Sequence, residues 1–326
     1  MSSDLVEVLV PIPLMEKFSY LPPKSNTPLK QGARVLIPFG RRTLVGVVWG
    51  FIQKESSDNR KYKHIQNVLD ESPLLDANSI GLAEWSSRYY HYPLGEIISY
   101  FFPPSIRKGK EAKFKESKYL ELTSKGSFLQ SEDLTRAPSQ QKLIELLKEK
   151  KEISLKSAQA FGISAAVING LVEKGYITRF SRELSPYKKF ENKKLLSSRK
   201  LNSEQRKAVN AINDAQKKNV TFLLDGITGS GKTEVYLQAI QEIVSQGKQA
   251  LILIPEIGLA PQAEERFREY FGDRVMSFHS AKNDREKVDA WLGASRGLVD
   301  IIIGTRSSVF LPCLLYTSPS PRDYTR

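Results

Sequence analysis

The alternation of apolar and polar positions in residues 1–105 predicts a small β-rich domain. Four runs have the composition of strands: residues 5–10, 33–38, 43–51 and 64–69. Gly40 lies between the second and third runs, where a tight hairpin requires the positive φ that glycine tolerates. The polar residues 53–63 predict a loop, and Asp76 is placed to cap a following helix. That helix carries three large side chains on one face: Leu82, Trp85 and Tyr89.

A second domain is predicted over residues 106–180. Residues 106–136 are charged and fit no clear element, but three short helices follow, each with a serine at its N-cap: Ser139, Ser154 and Ser164. Gly175 ends the third helix, and residues 176–180 have the composition of a strand. This order is typical of a winged helix, although a helical spacer would show the same pattern. From charge and placement, we expect three of its side chains to bind DNA phosphates: Lys156, Lys174 and Arg179.

Strands and helices alternate after a basic linker at residues 181–200. The strand-like runs are 220–224, 250–254, 275–279 and 299–303, and the helical runs are about 203–217, 232–246, 260–271 and 284–293. Such alternation predicts an α/β domain with a parallel sheet, here over residues 201–312. The chain is therefore expected to be a multidomain α/β protein.

Composition excludes several classes of protein. The chain has 326 residues, enough for two or three domains, and 40% of them are hydrophobic, too many for wholesale disorder. Cys313 is the single cysteine, so neither a disulfide framework nor a Cys-rich zinc site is expected. No apolar run reaches the roughly 20 residues of a membrane helix. The N-terminus lacks signal-peptide features, so we expect a soluble cytoplasmic protein without a membrane partner.

Positive charge is concentrated in the middle of the chain. The formal net charge is +13, from 49 Lys and Arg against 36 Asp and Glu. Residues 106–200 hold 22 basic and 11 acidic side chains, so +11 of the excess lies there. This distribution indicates binding to a polyanion such as a nucleic acid, and a solvated lysine-rich linker is the alternative.

The strongest chemical signal is the sequence G-x-x-x-x-G-K-T at residues 226–233, which fits a phosphate-binding P-loop. Its glycines allow backbone N–H groups to turn toward phosphate oxygens, Lys232 can reach the β and γ phosphates, and Thr233 can ligate Mg²⁺. The other residues of the loop are Gly226, Thr228, Gly229, Ser230 and Gly231. An apolar run before it and a helical run after it give the context that an ATP or GTP site requires.

Several polar residues lie where a ligand of such a domain would bind. Gln205 precedes the first strand and could make a two-way hydrogen bond to adenine, or it could be a surface residue at a helix start. Two pairs follow the carboxyl ends of predicted strands, where ligands of parallel sheets bind: Pro255-Glu256 and Thr305-Arg306. His279 ends the strand between them, and a lone histidine is more often structural than catalytic.

These segments closely resemble one family, the bacterial replication restart helicases called PriA or primosomal protein N′. In the second half, the resemblance is carried by LNSEQ, DGITGSGKTEVYL, ILIPEIGLAPQ and FHS…AWL…IIIGTRSSVF. In the first half, it is carried by VPIPL…FSYLPP, GARVLIPFGRRTLVGVVWG and the stretch around Trp85, Tyr89-Tyr90 and residues 93–96.

The resemblance implies a superfamily 2 helicase with a RecA-like first lobe, which recognises stalled forks and D-loops and translocates 3′→5′ on single-stranded DNA using ATP and Mg²⁺. It also implies other primosome proteins and single-stranded DNA-binding protein as partners. By motif matching, Gln205 would contact adenine, Lys232 phosphate and Thr233 Mg²⁺. The PEIGL and GTRS segments would contact the tracked strand through Pro255, Glu256, Thr305 and Arg306. The 3′ end of a nascent strand would be held by Phe18, Gly40 and Lys63, although core packing and a turn would also explain the first two.

Two departures from the family are visible. Ser19 occupies the position of an aspartate that receives the 3′-hydroxyl, so the hydroxyl preference is an open question. After residue 312 the family continues with an apolar strand and an Asp-Glu-Glu-His box, whereas Pro319 and Pro321 exclude a central strand here. We therefore expect residues 313–326 to be a non-native tail. The chain would be an N-terminal fragment without the second lobe, its arginine finger and the family's zinc-binding cysteines.

Different functions remain for the chain as written. The intact parent would be an ATP-dependent DNA helicase, whereas this chain would grip DNA and ATP with essentially no ATP turnover. A generic superfamily 2 fork-remodelling translocase, a non-catalytic DNA-binding module and a winged-helix transcription regulator are the alternatives. Dependence on fork structure, rather than on a duplex sequence, separates the helicase interpretation from the regulator.

Overall fold

The computed structural model describes residues 4–25, 27–55, 58–130, 137–187, 200–215, 220–227 and 229–313. The described residues divide into two compact units, one from Met1–Ala112 with Tyr187–Arg326 and the other from Lys113–Pro186. Within the described ranges, none of the helices combines the length and apolar character needed to cross a membrane.

The first part of the larger unit is an antiparallel sheet of five strands. These are β1 (Asp4–Leu9), β2 (Phe18–Tyr20), β3 (Arg34–Phe39), β4 (Arg42–Gln53) and β5 (Asn67–Val68), in the order β2-β1-β4-β3-β5. A bridge between Leu21 and His64 joins the chain after β2 to the chain before β5, so the two edges of the sheet meet. The predicted strand runs are confirmed, although the fourth is only two residues long. β2 was missed because three residues are too few to show a period.

The hairpin and the helix after the sheet follow the predicted chemistry. Gly40 adopts φ of 58° in the turn between β3 and β4. Asp76 caps α1 (Ala77–Tyr90) by accepting from the Ser79 amide. Trp85 and Tyr89 lie on one face, stacked 4.9 Å apart, but that face is exposed. The buried residues of the helix are Ile80 and four small ones: Ser79, Ala83, Ser86 and Ser87. The chain continues through α2 (Leu94–Ile97), a 3-10 helix (Ile98–Phe101) and α3 (Pro104–Arg107).

The unit Lys113–Pro186 combines helices with a three-stranded antiparallel sheet. Its elements are β6 (Lys115–Leu122), α4 (Ser124–Ser127), α5 (Pro138–Lys150), β7 (Glu152–Ser154), α6 (Leu155–Ala160), α7 (Ala165–Glu173) and β8 (Ile177–Leu184), with strand order β7-β6-β8. Ser154 and Ser164 are N-caps as predicted. Ser139 is not, because Pro138 opens α5 and Ala137 holds the cap position without a side-chain bond. Residues 181–184, predicted as linker, extend β8, where they pair with β6.

The last part of the larger unit has a parallel sheet, as predicted. Its elements are α8 (Ser203–Asp214), α9 (Lys232–Ser245), β9 (Ala250–Leu253), α10 (Ala260–Phe271), β10 (Val275–Phe278), α11 (Asp284–Ser295) and β11 (Ile301–Gly304), with strand order β10-β11-β9. Three 3-10 helices complete it: Ile257–Leu259, Gly272–Arg274 and Arg306–Phe310. The predicted strand at 220–224 was wrong: these residues form no ladder, and Leu223 is 93% exposed. Among the described residues β9 pairs only with β11, so no neighbouring strand satisfies the backbone of 220–224.

Candidate nucleotide and DNA sites

The P-loop is shaped by two glycines and closed by its own lysine. Gly229 and Gly231 both have φ of 83°, a conformation that is strained for other residues, and Gly231 is the N-cap of α9. The Lys232 ammonium donates to the carbonyl oxygens of Gly226 and Ile227, the latter at 3.0 Å. A bound phosphate would replace these two carbonyl oxygens as the acceptor of the Lys232 ammonium. Thr228 lies outside the described residues.

Gln205 is tied to the P-loop by its side chain. Its Oε1 accepts from the Asn202 amide at 3.0 Å, which completes a capping box for α8, and its Nε2 donates to the Ser230 carbonyl at 3.0 Å. A Cβ at Gly231 would overlap with Gln205 Nε2, so a side chain there would push Gln205 away, and the φ of 83° favours glycine independently. The structure thus brings Gln205 beside the loop and also gives it a capping role, which was the alternative interpretation.

A cavity of about 510 Å³ opens beside these groups. It is lined by Lys200, Gln205, Gly229, Ser230, Gly231, Lys232, Thr233, Glu234 and Arg266. Thr233 is exposed at the start of α9. Glu234 is buried, and it accepts from Tyr270 Oη at 2.9 Å and from Gln238 Nε2 at 3.2 Å. Sequence reasoning missed Lys200, Glu234 and Arg266, and no local signal pointed to Arg266, which comes from α10.

The donors of this cavity fit a nucleotide with its Mg²⁺. Three basic side chains line the cavity: Lys200, Lys232 and Arg266. The single carboxylate among its lining residues belongs to Glu234, and both of its oxygens already accept hydrogen bonds. The glycines beside Lys232 leave room that a Cβ would fill, and the N-terminus of α9 adds a partial positive charge. Within the described residues, no group of three or more His, Cys, Asp or Glu side chains could hold a metal ion by itself.

The two predicted DNA-contact loops meet at one edge of the parallel sheet. The Ile254 amide donates to the Gly304 carbonyl at 2.8 Å, so Pro255-Glu256 and Thr305-Arg306 leave adjacent strands side by side. Pro255, Glu256 and Arg306 are exposed, and Thr305 is partly so.

A buried serine fixes the second loop. Ser308 Oγ donates to the Phe278 carbonyl at 3.0 Å, which anchors the turn to the end of β10. A Cβ at Gly304 would overlap with Ser308 Oγ, so the close approach requires glycine. The turn that carries Arg306 is therefore rigidly placed.

His279 follows β10 at the same edge. Burial lowers the pKa of His279 from its usual value of 6.5, and the neighbouring Lys282 ammonium lowers it further. The imidazole Nδ1 is buried without a hydrogen-bond partner among the described residues. These features place a neutral histidine at the end of β10, beside the turn that carries Arg306.

Two of the residues matched to 3′-end binding, Phe18 and Gly40, meet at one end of the antiparallel sheet. The Phe18 ring packs edge-on against Phe39, with centroids 5.1 Å apart, and Gly40 follows Phe39 in the turn. The Lys63 carbonyl accepts from the Leu21 amide at 2.9 Å, three residues after Phe18. Phe18 is half-buried in the core cluster, so core packing is part of its role.

A carboxylate beside Ser19 was missed by the sequence reasoning. The register pairs Ser19 with Glu7 across β1 and β2, so the two side chains share a face. The Glu7 carboxylate accepts from Lys17 at 3.0 Å through one oxygen, and no hydrogen bond to its other oxygen is made by the described residues. Glu7 is the single charged residue within the run LVEVLV, which is the signal that could have singled it out.

The three basic residues predicted to bind phosphate in the smaller unit are all exposed. Lys156 lies on α6, Lys174 caps α7 and donates to Gln140 Oε1 at 3.2 Å, and Arg179 on β8 donates to Asn169 Oδ1. An exposed hydrogen bond is readily exchanged for a phosphate oxygen, so these contacts leave all three available.

Two protein families match different parts of the chain. Residues 7–103 match the family described as 3'DNA-binding domain (3'BD). Residues 198–318 match the family described as Type III restriction enzyme, res subunit. The first range contains the cluster around Phe18, and the second contains the P-loop and both edge loops.

Similar curated proteins carry one name. Replication restart protein PriA of Haemophilus influenzae is 33% identical over 313 residues, which cover 94% of this chain and 42% of that protein. The protein of the same name from Chlamydia trachomatis is 34% identical over 267 residues, covering 79% of this chain and 35% of the relative. The protein of that name from Bacillus subtilis is 27% identical over 354 residues, which cover 87% of this chain and 44% of that protein. The chain thus spans less than half the length of these relatives, and over most of its own length it is similar to proteins named replication restart protein PriA.

Proposed function

We propose that this chain is the nucleotide- and DNA-binding part of an ATP-dependent 3′→5′ DNA helicase that restarts replication at stalled forks and D-loops. The observation that carries the proposal is the link between β9 and α9. β9 leads into the DNA-contact loop at residues 255–259 and packs against α9, which begins at the P-loop. A translocase needs such a link, because binding and release of the nucleotide must change the grip on the strand.

The roles at the nucleotide follow from the donors in the cavity. Lys232 exchanges its two loop carbonyls for phosphate oxygens, Thr233 supplies a hydroxyl to Mg²⁺, and Gln205 turns its amide to adenine. ATP supplies the phosphoanhydride bond whose hydrolysis drives movement in the intact parent.

The chain itself is proposed to bind ATP without rapid turnover. Among the described residues that line the cavity, Glu234 is the single carboxylate, and both of its oxygens already accept hydrogen bonds. Because Glu234 is also buried, it is poorly placed to orient an attacking water. Steady-state hydrolysis at about 1 s⁻¹ or more, within the usual range of enzymes, would contradict this part of the proposal.

DNA contacts are proposed at three places. The exposed edge residues Pro255, Glu256, Thr305 and Arg306 would follow the tracked strand. The unit Lys113–Pro186 would act as a winged helix whose Lys156, Lys174 and Arg179 bind phosphates. The cluster of Phe18, Ser19, Gly40 and Lys63 would hold the 3′ end, with the Glu7 carboxylate disfavouring a terminal phosphate by charge repulsion.

The wider setting is part of the same proposal. Other primosome proteins and single-stranded DNA-binding protein would be the partners of the parent in the bacterial cytoplasm. Zinc would belong to regions of the parent that this chain does not include. A generic fork-remodelling translocase or a non-catalytic DNA-binding module is the second candidate, because the P-loop and the basic unit would serve either.

The experiment is fluorescence anisotropy of the chain on two forked DNAs that differ only in the nascent strand's end, 3′-hydroxyl or 3′-phosphate. Tighter binding to the hydroxyl form, lost in the Phe18→Ala variant, is expected. A Phe128→Ala variant, which removes an 83% exposed ring elsewhere, is the control. Equal binding to both forks would favour the generic translocase, and equal binding to a fork and a plain duplex would favour a simple DNA-binding module.

A further inference from the structure

Arg266 is a cation in the nucleotide cavity that no motif of the sequence singles out. It lies on α10, yet it lines the same cavity as Gly231, Lys232 and Thr233. Its Nη1 donates to Glu269 at 2.9 Å in an ion pair whose glutamate side chain is 54% exposed. Exposed pairs of this kind contribute little to stability, so a polyanion in the cavity can replace Glu269 as the partner.

The register of two helices places Arg266 at the level of the P-loop. α9 and α10 lead into β9 and β10, which are both parallel to β11, so the two helices run in the same direction. The hydrogen bond from Tyr270 on α10 to Glu234 on α9 fixes how far the two helices are shifted along their common direction. Arg266 lies one helical turn before Tyr270, and Ser230 in the P-loop lies one turn before Glu234, so Arg266 and the P-loop are at the same level.

The guanidinium is also held in a defined orientation. It lies over the Tyr270 ring, 5.4 Å from the centroid, and Tyr270 is itself anchored by the buried Glu234. A ring face and a carboxylate thus position the Arg266 fork before any ligand arrives. Planar, pre-positioned guanidinium groups bind phosphate oxygens with two parallel hydrogen bonds.

We propose that Arg266 binds the polyphosphate of the nucleotide directly, beside Lys232. The inference rests on the proposed nucleotide site and adds a contact that comes from outside the P-loop. Because α10 begins immediately after the loop at residues 255–259, the contact joins the nucleotide to the helix that follows a DNA-contact loop.

The test measures Mg²⁺-dependent binding of ATP and of inorganic tripolyphosphate to the full chain, by competition against a fluorescent ATP analogue. Arg266→Ala is expected to weaken both ligands about tenfold, the usual effect of one charge-assisted hydrogen bond. Arg266→Lys is expected to weaken both by a smaller factor, because it keeps the charge and loses the fork. Arg268→Ala is the matched control: it removes an ion pair to Glu264 on the same helix outside the cavity, and affinity should stay within about twofold.

Each result decides the inference. If Arg266→Ala binds both ligands as tightly as the wild type while Lys232→Ala binds neither, Arg266 makes no phosphate contact and the inference alone fails. Weaker binding of ATP with unchanged binding of tripolyphosphate would move the contact to the nucleoside and overturn it. If the wild type binds no ATP, or binds it regardless of Lys232→Ala, the proposed nucleotide site itself fails. A thermal melt of each variant checks folding, and Arg266→Lys decides the question if the alanine variant unfolds.

Discussion

The indole N–H of Trp291 donates to the carbonyl oxygen of Phe101 at 2.7 Å, across 190 positions of sequence. Trp291 is fully buried on α11, and the Phe102 ring lies 6.2 Å from it. Phe101 also packs on Phe310, which closes the 3-10 helix that begins at Arg306. The segment after the antiparallel sheet is therefore fastened to the helicase-like part beside the turn that carries Arg306.

Trp291→Phe tests this fastening. The variant keeps an aromatic ring but leaves the buried Phe101 carbonyl without its donor, which should lower the free energy of unfolding by about 1–3 kcal/mol. Urea unfolding followed by far-UV circular dichroism measures the change. Trp85→Phe is the control, because Trp85 is 41% exposed and the expected effect is below about 0.5 kcal/mol. Equal effects of the two variants would show that the hydrogen bond from Trp291 to Phe101 makes no measurable contribution to the free energy of unfolding.

A buried ion pair gives the second prediction. Arg34 is 1% exposed, pairs with Asp70 at 2.7 Å and 2.9 Å, and donates to the carbonyl oxygens of Ile106 and Lys110. Asp70→Ala leaves the guanidinium charge buried without its partner and should cost about 3–5 kcal/mol. Removing both charges, with Arg34→Met and Asp70→Leu together, should recover much of that loss.

The control for this pair is the exposed pair of Arg60 and Asp58. Its arginine side chain is 79% exposed, and Arg60→Met should leave the urea midpoint almost unchanged. If Asp70→Ala were no more harmful than Arg60→Met, solvent would have to reach Arg34.

Features that depend on neighbouring residues could be predicted from the sequence, and features that depend on distant partners could not. The caps at Asp76, Ser154 and Ser164 are local, and all three accept the expected bonds. The cap predicted at Ser139 was wrong, because the adjacent Pro138 opens α5 one residue earlier. The apolar residues 220–224 look like a strand, but a strand exists only where another strand pairs with it. Arg34 is buried only because Asp70 and two carbonyl oxygens from residues 106–110 reach it.

The same division applies to the candidate sites. The P-loop is contiguous, so its lysine and threonine were found directly, whereas Arg266 enters the cavity from α10 and Glu7 reaches Ser19 through strand register. Both contacts depend on how separate helices and strands pack, so no fixed spacing of residues in the sequence indicates them.

Gly231 gives the third prediction. Gly231→Ala would place a Cβ against Gln205 Nε2 in a backbone with φ of 83°, so it should cost about 1–2 kcal/mol in strain and also weaken ATP binding. Gly247→Ala is the matched control, since it has φ of 74° with nothing within 4 Å of its Cβ position. It should cost similar stability and leave ATP affinity unchanged. Loss of affinity in both variants would mean that strain, rather than the Gln205 contact, decides binding.

Cys313 gives the fourth prediction. Burial raises the pKa of the Cys313 thiol to about 12, so at pH 8 almost none of it is the reactive thiolate. Native protein should therefore react with a disulfide reagent far more slowly at pH 8 than the same protein in urea, followed by absorbance of the released thiolate. Equal rates in both conditions would place Cys313 at the surface.

The fifth prediction concerns acid stability at His279. The folded pKa lies below the usual 6.5, so the neutral imidazole stabilises the fold above pH 6.5, and that contribution is lost as the pH falls below it. The charges facing it are Glu264 from α10, Lys282 from the following loop, and Glu286 and Lys287 from α11. Burial and the two lysines outweigh the two glutamates.

His279→Gln should therefore lose less stability than the wild type between pH 7.5 and 5.5, compared by urea midpoints at each pH. Lys282→Gln should act in the same direction, because removing that charge lets the pKa of His279 rise toward 6.5. Carboxylates also titrate near this range. The measured quantity is therefore the difference in stability between variant and wild type at each pH. Parallel curves would show that His279 is protonated equally easily in the folded and unfolded chain, and its position at the end of β10 would then have no electrostatic consequence.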